Sequence, residues 1–180
     1  VNNIYEEPLF WALISMFGLV GACAVVGSKT IGRRTMIGFG VVTLFDLGRF
    51  LLVVPDQSRF ELGWPITLLG GVLFLAGIVL GLAPCFLIRP LNMAEQQTTL
   101  ITDGFYGVVR NPIYLGELLW CLGWALIHRS ILGVALVPLW WVSLLILIVI
   151  EEENLERELG QPYRDYKQQV RGRIVPGLPI

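Results

Sequence analysis

Two separated stretches carry the side chains whose types and spacing could do chemistry. The first runs from Thr102 to Gly116 and contains Tyr106, Arg110, Asn111, Pro112, Tyr114 and Gly116. It is polar, punctuated by glycine, and leads straight into an apolar run. Pro112 pre-sets the first turn of a helix, and Arg110 and Asn111 stand just ahead of it. A new helix leaves its first backbone N–H groups without intrahelical partners there. A cation, two tyrosines and open amide donors at such a point suit an anionic group. The second stretch, Glu151-Glu152-Glu153, follows an uncharged run. Glu153 has Arg157 four residues on and is expected to pair with it. Glu151 and Glu152 have no such partner. Alone, neighbouring acids on a helix make a solvated face; they gain meaning only if Tyr106, Arg110 and Tyr114 share their side of the molecule.

The elements that would bring them together follow from composition. The chain has 180 residues, 55% hydrophobic and 15% charged, with mean hydropathy +0.70. Soluble domains carry about 25% charged residues, and uncharged apolar runs of about 18 residues or more span membranes. The fold class expected is all-α: an integral membrane helical bundle of about five transmembrane helices with a cytoplasmic helical tail. The runs are 8–28, 35–54, 65–88, 112–127 and 131–150. They form one membrane domain over 1–180, with 1–100 as a three-helix scaffold and 101–180 as the cofactor-binding hairpin and tail. A net charge of −1 leaves no basic surface for nucleic acid. Cys23, Cys85 and Cys121 lie in apolar runs, so no disulfide framework is expected. The single histidine, His128, offers no ligand set for a metal.

Within the second run, Asp46 and Arg49 stand three residues apart and share a helix face. Charges at membrane depth are costly, so they are expected to pair with each other or face the interior. They form either a structural ion pair or the polar wall of a ligand cavity. Gly77 and Gly81 allow close helix packing, and Pro84 predicts a kink near the end of its helix. The longest polar connection is expected from Arg89 to Asn111, and a tight turn at His128-Arg129-Ser130. Beyond residue 150 the fifth helix should leave the membrane, stop at Gly160 and be followed by a short helix opened by Pro162. Leu155, Leu159, Tyr163, Tyr166 and Val170 recur at helical spacing, one apolar face on a charged tail that should fold back on the bundle or the headgroups.

Orientation follows from lysine and arginine. Lys29, Arg33, Arg34, Arg89, Arg110, Arg157, Arg164, Lys167, Arg171 and Arg173 fall on one side, Arg59 and Arg129 on the other. An N-terminus outside and a cytoplasmic C-terminus, in a prokaryotic inner membrane or an endomembrane, fit that asymmetry. The 102–116 stretch and the acidic tail then share the cytoplasmic face. Together their groups match a zwitterion: carboxylates for an ammonium or sulfonium, arginine for a carboxylate, aromatic faces for a cation. S-adenosyl-L-methionine has an amino-acid end, a sulfonium, and an adenine that wants an apolar slot. No strand followed by a glycine-rich turn is present, which excludes a dinucleotide-type fold.

These residues carry a resemblance. Gly104-Phe105-Tyr106 with Arg110-Asn111-Pro112-Ile113-Tyr114-Leu115-Gly116 resembles the signature Arg-His-Pro-x-Tyr-x-Gly of the isoprenylcysteine carboxyl methyltransferase and phospholipid methyltransferase family. Glu151-Glu152-x-x-Leu155, Leu159-Gly160-x-x-Tyr163-x-x-Tyr166 and Arg173-x-x-Pro176 resemble that family's tail. The resemblance covers roughly 100–178 and implies methyl transfer from S-adenosyl-L-methionine at the membrane–cytosol boundary to a lipophilic small molecule reaching the site from the bilayer. It implies a cofactor site of Tyr106, Arg110, Asn111, Pro112, Tyr114, Gly116, Glu151 and Glu152. Glu152, Arg171 and Arg173 are the candidate catalytic residues, either arginine serving as anchor for an acceptor carboxylate. Asn111 stands where the family has histidine; it can donate and accept hydrogen bonds but does not titrate near neutral pH. Membrane sterol and steroid reductases resemble this half too, through Tyr114-x-Gly116-Glu117, although Ile113 replaces their usual Asn. The acidic pair favours the methyltransferase, since NADPH phosphates would want cations there. A non-enzyme reading, a small transporter using Asp46, Arg49 and Glu117, lacks the internal repeat many transporters show.

Overall fold

The computed structural model describes residues 3–27, 31–95 and 100–179, with side chains described for 3–25, 40–84 and 100–179. Lys29 and the side chains of Arg33, Arg34, Cys85 and Arg89, which enter the expectations above, lie outside the described set. In lipid every backbone polar group must be satisfied within the chain, and the described apolar runs are accordingly helical. The helices are α1 (Pro8–Gly27), α2 (Ile31–Leu51), α3 (Trp64–Glu95), α4 (Pro112–Ile127), α5 (Ile131–Leu159) and α6 (Gln161–Gln169). Short 3-10 turns cover Ile4–Glu6 and Gly104–Gly107.

Helix α3 departs most from expectation. Its apolar run ends at Ile88, yet the helix continues through Arg89 and Pro90 to Glu95. Hydropathy marks where the lipid ends, not where the helix ends. The following Leu91-Asn92-Met93-Ala94-Glu95 consists mostly of good helix formers, and extending a formed helix is far easier than starting one. The expected polar connection from Arg89 is therefore shorter. Helix α5 runs on in the same way, as anticipated, to Gly160, whose φ of 66° closes it; Pro162 then sits in the first turn of α6.

Helices α1, α3 and α5 are long and apolar enough to cross a membrane. Helix α4 is shorter, and α2 carries Asp46 and Arg49; both pack within the bundle. The exposed faces of α1 (Leu9, Leu13, Phe17, Val20) and α3 (Leu68, Val72, Leu75, Val79) are large and apolar, as lipid-facing surfaces require. The fold is an all-helical membrane bundle.

Its packing is pairwise. Helix α1 runs against α2 and α3 against α4, and α5 closes the bundle against α4 and α1. The principal partner of α3 thus lies across the boundary drawn at residue 100. Close approach of α3 and α4 depends on missing side chains: a Cβ on Gly77 would stand 2.2 Å from the Trp120 backbone nitrogen, and one on Gly116 2.4 Å from that of Gly81. The core under α5 consists of Trp140, Leu144, Leu147 and Ile148 against Leu118, Cys121 and Ala125. Cys23 and Cys121 are free thiols.

The Asp46–Arg49 pair forms as the spacing predicts and gains a third member. Arg49, fully buried, also donates to Glu117 of α4. Its guanidinium carbon lies 3.7 Å from the Phe45 ring centroid and 4.8 Å from that of Trp120, cation–π contacts within working range. One arginine so ties α2 to α4.

The turn between α4 and α5 is fixed by Ser130. Its hydroxyl accepts from the Gly133 N–H at 2.9 Å and donates to the Gln57 side chain at 2.6 Å. Ser130→Ala removes both bonds and is expected to cost about 1 kcal/mol, the usual value of an N-cap. A thermal melt in detergent checks this; an unchanged midpoint would show that the backbone bonds of the turn, among them Phe60 N–H to the Arg129 carbonyl (3.0 Å) and Ser130 N–H to the Ala125 carbonyl (2.9 Å), suffice without the hydroxyl.

Candidate active site

The tail returns to the bundle and builds the site. Leu155 and Leu159 of α5 and Tyr163 and Tyr166 of α6 form, with Val170, the apolar face read from their spacing. They pack on Leu100 and Tyr106 as a second hydrophobic cluster, apart from the membrane core. The Tyr166 hydroxyl donates to the Tyr106 carbonyl at 2.8 Å. Burial pushes the Tyr163 and Tyr166 phenols well above their ordinary range, so both stay neutral. After α6 the chain runs back along the start of α4, where the Arg110 and Asn111 N–H groups donate to the Gly172 and Arg173 carbonyls at 2.8 and 2.9 Å.

The two stretches singled out by sequence meet here through Glu152. This residue is 2% exposed. Arg110 Nε donates to its Oε1 at 2.8 Å, Arg173 Nε to its Oε2 at 3.0 Å, and Asn111 Nδ2 to Oε1 at 3.2 Å. Arg110 Nη1 also reaches the Val170 and Arg171 carbonyls at 2.7 and 2.9 Å. One carboxylate and one guanidinium clamp α4, α5 and the tail together. At this burial such a pair is tolerated only because its remaining donors and lone pairs are satisfied.

Glu151, one residue earlier and so on another face of the same helix, does something different. It accepts from the Tyr114 hydroxyl at 2.7 Å and lines a cavity of about 290 Å³. The polar end of that cavity is Arg110, Asn111, Tyr114 and Glu151; its other walls are Leu100, Ile101, Leu155, Leu159 and the tyrosines 106, 163 and 166. Pro112 and Ile113 bring the start of α4 to its edge, and no side chain caps that helix. Glu153 makes the expected exposed pair with Arg157 at 3.1 Å.

Measured against the sequence reading, Tyr106, Arg110, Asn111, Pro112, Tyr114 and Glu151 line one cavity. The other four positions lie outside its lining. Gly116 faces α3 and does not line the cavity, because its lack of a side chain is what the helix pairing requires. Glu152 points into the clamp, where it is already bonded to Arg110, Asn111 and Arg173. The Arg173 side chain is held by Glu152, and Arg171, exposed, contributes its carbonyl to Arg110. Neither arginine is among the described residues that line this cavity. Sequence reasoning missed Tyr163, Tyr166, Leu155 and Leu159 as cavity walls. Their spacing marks a docking face, and which of its side chains also border a cavity depends on what the face docks against.

A helical membrane bundle whose tail closes a cavity over the start of one helix, with a tyrosine–glutamate pair at its polar end, defines a class, and residues 65–162 match the family of phospholipid methyltransferases. The chain belongs to that family. It is 26% identical over 132 residues to methanethiol S-methyltransferase of Crocosphaera subtropica, covering 72% of this chain and 49% of that protein. It is 31% identical over 87 residues to protein-S-isoprenylcysteine O-methyltransferase B of Arabidopsis thaliana, covering 48% of this chain and 42% of that one. With protein-S-isoprenylcysteine O-methyltransferase of Schizosaccharomyces pombe it shares 33% over 82 residues, 45% of this chain and 33% of that one. The chain spans about half, or less, of the length of these curated relatives. No solved structure matches it.

Proposed function

We propose that the protein transfers a methyl group from S-adenosyl-L-methionine to a lipophilic acceptor at the membrane–cytosol boundary, with its C-terminal tail on the cytoplasmic side. The observation that carries this reading is the composition of the tail-side cavity. It offers a carboxylate for an ammonium group, aromatic rings for a cation and an apolar end for a planar base. The cofactor, when bound, supplies an electrophilic methyl group. Glu151 would hold its amino-acid end, with the Tyr114 hydroxyl fixing the carboxylate's orientation. Tyr106, Tyr163 and Tyr166 would flank the adenine and exclude water. The Ile113 and Tyr114 N–H groups at the helix start would meet the cofactor carboxylate. Their contribution to rate is placement, since holding reactants in line can supply several kcal/mol of the barrier.

The reductase reading fares worse. Of the described cavity-lining residues Arg110 alone is cationic, and its guanidinium is committed to Glu152 and two tail carbonyls. Among the described residues, phosphates of NADPH would find no available cation there.

Calorimetric titration of the detergent-purified protein with S-adenosylmethionine, S-adenosylhomocysteine and NADPH decides between them. Saturable binding of the first two, weakened at least about tenfold by Glu151→Gln, is expected, since a charge-assisted bond contributes roughly 1.5–3 kcal/mol. Glu153→Gln, at an exposed pair, should leave affinity unchanged. Binding of NADPH alone would replace this reading with the reductase.

A further inference from the structure

On the membrane side of Tyr114 and Glu151 lies a second cavity, of about 260 Å³, enclosed by α1, α2, α4 and α5. It shares Ile113, Tyr114 and Glu151 with the tail-side cavity, so those three residues form the wall between them. Apart from the Tyr114 hydroxyl, its polar groups are the carboxylates of Asp46, Glu117 and Glu151. Among the described residues no arginine, lysine or histidine lines it. Arg49 lies behind the wall with its side chain fully buried, held by Asp46 and Glu117 and covered by the Phe45 ring. The side chains of Asp46 and Glu117 keep 38% and 23% of their surface exposed. Three carboxylates thus stand against one guanidinium. Carboxylates at membrane depth without a compensating cation are costly, and a cationic ligand would supply the missing charge.

We propose that this cavity is the acceptor pocket and that it takes the ammonium head of a lipophilic amine, in preference to a carboxylate or a phosphate-bearing headgroup. The assignment as acceptor pocket rests on the methyltransferase reading; the preference for an ammonium rests on the wall itself. A carboxylate or phosphodiester entering there would meet three carboxyl groups and, among the described residues, no available cation. The volume suits a small head with its first methylenes. Val42, on the wall and 45% exposed, leaves a side on which an alkyl chain passes into the bilayer. The bound ammonium can pass one proton to Asp46, which lines the cavity and is not used by the cofactor, leaving a neutral amine with its lone pair and a neutral carboxyl.

The test is competitive binding in neutral-detergent micelles of four single-chain amphiphiles: dodecylamine, dodecanethiol, dodecanoate and lysophosphatidylethanolamine. Each is titrated with and without saturating S-adenosylhomocysteine. Dodecylamine is expected to bind at least about tenfold more tightly than the other three, a difference of roughly 1.4 kcal/mol. Asp46→Asn should remove most of that preference while S-adenosylhomocysteine still binds. Equal or tighter binding of the thiol, the carboxylate or the lysophospholipid would overturn the proposal, as would a folded Asp46→Asn protein that keeps the full preference. The ranking on the unmodified protein stands as the test if that variant fails to fold. Amine preference without S-adenosylhomocysteine binding would sink the methyltransferase reading and leave the charge preference standing; the reverse would sink the preference alone.

Discussion

Replacing Glu152 with Gln is expected to lower the thermal midpoint by roughly 10 °C. The variant should also weaken S-adenosylhomocysteine binding, although Glu152 does not line the cavity. The side chain is 2% exposed and receives Arg110, Asn111 and Arg173. Glutamine keeps the shape but not the charge, and its amide offers one acceptor oxygen where the carboxylate has two. Arg110, itself 8% exposed, is then left as a buried cation without its counter-charge. Breaking a buried pair in this way costs about 3–5 kcal/mol, and each kcal/mol shifts the midpoint of a chain this size by about 2–4 °C. The tail held by Arg110 should loosen, and with it Tyr163 and Tyr166, which wall the cavity. The prediction separates two roles: Glu151→Gln should lose affinity with little loss of stability, Glu152→Gln should lose both. A Glu152→Gln protein that melts normally but fails to bind would return Glu152 to direct cofactor contact.

Gly116→Val is expected to prevent accumulation of folded protein. A Cβ there stands 2.4 Å from the Gly81 nitrogen and 2.7 Å from the Gly77 carbonyl oxygen. Both are backbone atoms of α3, which cannot rotate aside as a flexible side chain would. Helix association in lipid relies on such close approach, because lipid tails are as apolar as the helices themselves. Overpacking ordinarily costs about 1–3 kcal/mol, and a backbone clash at the principal interface of α4 belongs at or above the upper end. The reading to be tested is that Gly116 serves packing. Gly116→Ala protein, if recovered, should show a lowered midpoint and unchanged S-adenosylhomocysteine affinity. Normal stability with lost affinity would instead place this glycine in the cofactor site.

The class of structure and the two stretches that meet in it are legible in composition and local pattern. Uncharged runs of spanning length force helices, because lipid offers backbone groups no other partner. Gly160 and Pro162 mark the break between α5 and α6 through local backbone preference, which needs no tertiary context. The pairing of Asp46 with Arg49 and of Glu153 with Arg157 likewise followed from spacing along one helix. Which of two consecutive glutamates faces the cavity and which is locked in the clamp is settled by packing. Neighbours on a helix differ by about a quarter turn, and the absolute rotation of α5 is set by what packs against it, not by its own sequence. The same holds for Gly116, Arg171 and Arg173, whose residue types suit both a ligand site and a packing role. It holds too for Glu117 joining Arg49 across 68 positions. Local physics writes the elements and their ends into the chain, while the facing of each side chain is a property of the assembled bundle.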